Sequence, residues 1–274
     1  MNAAVAPQRT FLLYGLYSCG STALSNPTPK PFGYSPEAID ALTQSLSAER
    51  IRPYIARAGG SKVRAIWLYE RNTAMSEALY GVIQGVEVSL RNAIHRELST
   101  RFGATWPDIV QLEQPQRDKL TIAKSEITRD KRSVTPGALV AQLSLGFWTS
   151  LISAVYEKQF WVPCLHRAFP NALQRKTTAD GTARSAPIGR KEIFEQLDKI
   201  RNVRNRIAHH EPILKLDLPK LYSESITVIS WVCPVSSDWV RATNCFNTRF
   251  HEKPLAYEPP TLSRSAPVPS PGQP

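Results

Sequence analysis

The sequence predicts an all-α fold, a helical bundle set between two disordered tails. Three observations predict it. Every long stretch with periodic apolar residues repeats at three and four residues rather than two. Serine and proline stand where helix starts need them, and Gly-Gly or proline stands where helices must stop. The 22 prolines crowd toward the ends, while hydrophobic residues make up 42% of the 274-residue chain. That composition excludes a globally disordered protein, and the length is ample for a core without disulfides or a structural metal.

The elements follow in order. Residues 1–34 read as a disordered leader, with Pro27, Pro29 and Pro31 in a linker at its end. The Phe11–Tyr17 apolar run before Ser18-Cys19-Gly20 admits a signal-peptide or lipoprotein reading. One basic residue before it and Gly15 inside it weigh against that. A helical domain spans 35–251, opening at Ser35-Pro36-Glu37 as N-cap, first-position proline and first-turn acid. Ile39, Leu42 and Leu46 make its first helix. Ser47 caps a second through Ile51, Tyr54 and Ile55, ended by Gly59-Gly60. Leu79, Val82, Val86, Leu90 and Ile94 mark a long helical region reaching about residue 102. Residues 103–136 read as a loop with a short helix. Residues 137–156 return to a helical pattern through Leu139, Leu143, Phe147, Leu151 and Val155. Residues 176–188 read as a loop, 189–210 as a helix stopped by Pro212, and 217–233 and 235–250 as two closing helices. Residues 252–274 are a proline-rich disordered tail.

The charge narrows the partner. Lys and Arg exceed Asp and Glu by 11. Arg9 and Lys30 account for two of these in the leader and the C-terminal tail is neutral, so the body carries the other nine. A basic body suits a polyanion, most simply nucleic acid. No apolar run approaches the roughly 20 residues that span a bilayer, and Cys19, Cys164, Cys233 and Cys245 lie too far apart for a zinc site, so a cytoplasmic protein with reduced thiols is expected.

The chemistry concentrates in Ile193–Pro212. Ile193, Leu197, Ile200 and Ile207 form an apolar stripe, and Arg204 falls between the last two. A guanidinium cannot shed its charge, so on such a stripe it must meet a carboxylate, line a wet cleft or face a phosphate. Arg201, Asn205 and His209 form a neighbouring stripe at i, i+4 and i+8. Pro212 puts His209 and His210 in the last turn, where the helix dipole favours imidazolium. Cationic Arg and His beside a cleft suit phosphodiester cleavage: one neutralises the phosphate, the other moves a proton. The blander readings are His209 as a helix cap and His210 as a solvated residue. His209-His210-Glu211 is a poor metal set, because consecutive residues point in different directions; neither metal nor cofactor is expected.

Ile200–Ile213 resembles the signature of the Abi-like (abortive infection) proteins, themselves similar to the HEPN superfamily, whose mark here is Arg204, Asn205 and His209. Leu46–Arg50 with Tyr54, Leu68-Tyr69 with Asn72, Glu87–Asn92, and Leu145–Trp148 match the same pattern, so the resemblance covers roughly 36–250. It implies a HEPN-like bundle and a metal-independent endoribonuclease toxin of antiviral defence. RNA attacks itself through its 2′-hydroxyl, and the sites lie at a homodimer interface to which each protomer donates Arg204 and His209. Glu87, Arg91, Arg201 and His210 support the site by the same carry-over, although Glu87 and Arg91 also suit an ordinary i, i+4 ion pair. Some such toxins carry a Tyr after the His, where an antitoxin acts. Here Glu211, Pro212 and Ile213 follow, so an antitoxin or other regulatory partner would work differently. The alternative on the same fold is a non-catalytic HEPN-type module that binds RNA or protein.

Overall fold

The computed structural model describes residues 32–162, 164–177 and 182–251. The leader through residue 31 and the tail from 252 lie outside the described residues, so the order or disorder expected there does too. Twelve α-helices and one two-stranded hairpin are described.

Capping sets the first three helices. Ser35 Oγ accepts the Ala38 N–H at the start of α1 (Pro36–Ser45). Ser47 does the same for Arg50 at α2 (Ala48–Arg57), and Ser61 for Arg64 at α3 (Lys62–Phe102). Gly59 and Gly60 both have positive φ between α2 and α3, a reversal that a β-carbon would strain. Tyr34, just ahead of the first cap, donates to Glu70 Oε1 at 2.5 Å and packs beside α1 and α2.

The 41-residue α3 is the spine, about 60 Å long at 1.5 Å per residue. Its first turns hold α1 and α2 through a small core of Ile39, Ile51, Tyr54, Ala58, Ala65 and Ile66. The remainder carries the main core. There α3 meets α7 (Leu145–Ser150), α8 (Leu165–Ala168), α9 (Arg190–Ala208), α10 (Leu218–Val232), α11 (Pro234–Thr243) and α12 (Phe246–His251). The contact with α10 and α11 is close: a β-carbon on Gly85 would stand 3.0 Å from both Ile229 and Val240. Trp106, Phe147, Trp148, Tyr156 and Phe160 fill the other end of the core, all essentially inaccessible.

Four sequence expectations change. The loop region 103–136 holds α4 (Trp106–Ile109) and a 16-residue α5 (Gln114–Arg129). The helix expected over 137–156 is broken into α6 (Pro136–Gln142), α7 and a 3₁₀ turn at Ala154–Tyr156 that runs into a π turn at Glu157–Trp161. Leu143 is extended and its carbonyl receives Trp148 Nε1–H at 3.1 Å, which stops α6. The loop expected at 176–188 is part of an antiparallel hairpin, β1 (Leu173–Thr177) with β2 (Ala183–Pro187), which pairs Arg175 with Ser185 and Lys176 with Arg184. The last closing helix is interrupted at Asn244, whose Nδ2 donates to the Ala78 carbonyl at 2.8 Å. The fold is mostly α-helical, with this hairpin the only strand pairing among the described residues.

Candidate functional site

Helix α9 buries Ile193, Leu197, Ile200, Val203 and Ile207. Val203, not Arg204, occupies the inward position between Ile200 and Ile207. A helix admits either a three- or a four-residue step there, and the apolar side chain takes the deeper place. Arg204 is displaced to the flank and is half-buried. Its Nε is sealed from solvent without a hydrogen-bond partner, and among the described residues no carboxylate lies within 4.0 Å of it. Of the three fates open to this guanidinium, the carboxylate partner is therefore not realised among the described residues.

The helix ends at Ala208, two residues before the end expected from Pro212. His209 is the C-cap and is exposed; His210 follows in the left-handed region at φ +55°. The His210 N–H bonds to the Ile207 carbonyl at 3.0 Å and the Glu211 N–H to that of Arg206 at 2.8 Å. These paired bonds satisfy carbonyls left over at the helix end. Glycine usually fills the left-handed position, but His is among the few side chains that adopt it. The Arg206 and Glu211 side chains approach to 4.0 Å across the same turn.

Two distant residues pin this turn. Arg50 Nη1 donates to the His210 carbonyl at 2.7 Å. Asn72, 4% exposed in the first third of α3, accepts the Ile213 N–H at 2.7 Å, and its Nδ2 reaches the Glu211 carbonyl at 3.5 Å. Gly146, at the start of α7, lies against the Arg201 side chain, 3.7 Å from its Cδ to a β-carbon position. Arg50, Asn72 and Gly146, from three separated stretches of the chain, thus converge on α9 and the turn that follows it. Reasoning from periodicity assigned no role to Arg50 or Asn72; the available signal was an Asn at a position that the α3 pattern makes internal.

The remaining site candidates divide. Arg201 is neutralised by its own helix, with Asp198 at 2.7 Å. Asn205 is exposed, and its carbonyl accepts the His209 N–H at 2.9 Å. Glu87 and Arg91 are half-buried one turn apart on α3, yet no ion pair joins them within 4.0 Å, nor does Glu87 pair with Arg204; Arg91 Nε is sealed and unpartnered like that of Arg204. The expected i, i+4 bridge is absent among the described residues. No three metal-ligating side chains converge among them either, so His209, His210 and Glu211 do not form a cluster.

His210 instead lines a cavity of about 420 Å³ between α3 and the end of α9. Elsewhere on the surface, Arg175 and Arg184 are exposed on the hairpin, and the register sets residue 184 directly opposite Lys176. No helix among the described residues is long and apolar enough to cross a membrane. Comparison with protein-family models, curated proteins and solved structures returns no match.

Proposed function

We propose that this chain is an Abi-like, HEPN-type endoribonuclease of phage defence that cleaves RNA without a metal. The observation that carries the reading is Arg204: a half-buried guanidinium whose sealed Nε has no hydrogen-bond partner and which meets no carboxylate among the described residues, five residues before a histidine at a helix end. A polyanion supplies the missing charge. RNA brings its own nucleophile: the 2′-oxygen attacks phosphorus, the bond to the 5′-oxygen breaks, and one proton leaves the former and reaches the latter. Arg204 offsets the charge that builds on the phosphate, and His209 carries the proton. Asn205, Arg91, Arg201, Glu87 and His210 support the site.

Five residues at 1.5 Å and 100° each put Arg204 and His209 about 7.5 Å apart along α9 and about 140° apart around it. Faces this far apart around the helix favour a site completed by a second copy of the chain across a two-fold axis. The reading places the protein in the cytoplasm, with RNA as partner and with any antitoxin acting at this dimeric site. Incubation with total RNA tests it: cleavage should leave 2′,3′-cyclic phosphate ends, spare DNA, which lacks the 2′-hydroxyl, and fail in His209→Ala. If Arg204→Ala and His209→Ala both retain full toxicity in cells, the chain is a binding module instead.

A further inference from the structure

The cavity beside the α9 terminus has the composition of a ligand site. Tyr69, Thr73, Ser76 and Tyr80 recur at steps of four, three and four along one face of α3, and His210 faces them from the turn after α9. The volume, about 420 Å³, is within the range of small-molecule pockets. Glu77 completes the wall, and its carboxylate has neither a hydrogen bond nor an ion pair among the described residues. Tyr80 is 49% exposed. The backbone of His210 is held in a left-handed conformation by Arg50 and by the bonds of the turn.

We infer that this cavity holds one unpaired base of the RNA, and that the base is guanine. The inference rests on the ribonuclease reading and names the nucleotide that the same site selects. Single-stranded RNA is read by splaying a base out, stacking it on an aromatic ring and bonding its edge. Tyr69 and Tyr80 supply rings. A carboxylate only accepts hydrogen bonds, so Glu77 selects for donors and repels a phosphate. Guanine alone presents two adjacent donors on its pairing edge, N1–H and the N2 amino group. Adenine and cytosine present one amino group there and uracil a single N–H. His210 is adjacent in sequence to His209, so a base seated against it leaves the neighbouring phosphate at the catalytic end of α9.

The test uses the full chain carrying His209→Ala, which leaves every cavity residue in place, with GMP, AMP, CMP and UMP as titrants in calorimetry. GMP should bind at least fivefold more tightly than the others. Glu77→Gln, an exposed change that keeps the fold, should remove about 5- to 150-fold of that preference, the worth of one bidentate base contact. Tyr80→Ala should weaken all four nucleotides alike. In parallel, the ends left by the wild-type protein on RNA should map next to G, and Glu77→Gln should erase the preference. Equal binding of the four nucleotides, or preference unchanged in Glu77→Gln, overturns the pocket assignment. Cleavage that ignores base identity and Glu77 overturns it while sparing the ribonuclease reading. Glu77-dependent GMP binding in a protein that never cuts RNA keeps the pocket and removes the ribonuclease reading.

Discussion

Replacing Asn72 with Ala removes the acceptor for the Ile213 N–H, a 2.7 Å bond to a residue that is wholly buried. Solvent cannot substitute at that depth. An orphaned buried donor costs about 1–3 kcal/mol. The longer bond from Nδ2 to the Glu211 carbonyl adds little at 3.5 Å. For a domain of this size each kcal/mol lowers Tm by about 2–4 °C, so Asn72→Ala should melt about 2–12 °C below the parent. Thermal unfolding followed by circular dichroism reads this. The same bond fixes the chain that leaves His209 and His210, so the variant should also cut RNA more slowly at temperatures where it remains folded. Ile229→Val, a loss of one methyl in the core beside Gly85, is the comparison; it costs about 0.5–1.5 kcal/mol and does not touch the turn. A Tm within 1 °C of the parent, or cleavage no slower than in Ile229→Val, would refute the claim that Asn72 positions the site.

Three further outcomes follow from the same geometry. Arg204→Met should leave the urea midpoint unchanged or raise it, because an unpartnered half-buried guanidinium costs desolvation without a compensating charge; a loss above about 1 kcal/mol would mean Arg204 has a structural partner. His95 has a pKa lowered from 6.5 by burial, and its Nδ1 accepts from Trp106 Nε1 at 3.0 Å. The unfolded chain therefore takes up that proton first as pH falls, stability declines below about pH 6.5 down to the lower folded value, and His95→Gln should show a smaller Tm drop between pH 7.5 and 5.5 than the parent. The double change Arg175→Gln, Arg184→Gln on the hairpin should make the plot of log affinity for single-stranded RNA against log salt shallower by about 0.7 per lost phosphate contact; an unchanged slope would take the hairpin out of the interface.

The parts legible from sequence are those with strong local signals. Ser35 and Ser47 are real N-caps, and Gly59-Gly60 makes the turn expected of it. Helix α5 was hidden because its buried stripe is Gln116, Leu120, Ala123 and Ile127, with only two large apolar side chains in it. The hairpin was hidden because Leu173 is its only large aliphatic side chain, so no alternation marks it. The break at Leu143 was hidden because Leu139, Leu143 and Phe147 keep helical spacing across it, while Val155, at the end of the same pattern, is 62% exposed. At the site, the segment 200–213 was readable, but not which of Val203 and Arg204 faces inward. The convergence of Arg50 and Asn72 on residues 209–213 joins positions about 140 residues apart or more, which no local period encodes.

The central claim is that Arg204 and His209 cut RNA with no metal. The most direct measurement is the rate of cleavage of total RNA in excess EDTA by the parent, Arg204→Ala, His209→Ala and the double variant, with circular dichroism to show that each is folded. The account predicts cleavage by the parent, a loss of about 10²- to 10⁴-fold in each single variant, and a double variant little worse than either, because groups that act as a unit are not additive. Activity that disappears in EDTA and returns with a divalent cation, or single variants that cut at the parental rate, would contradict it.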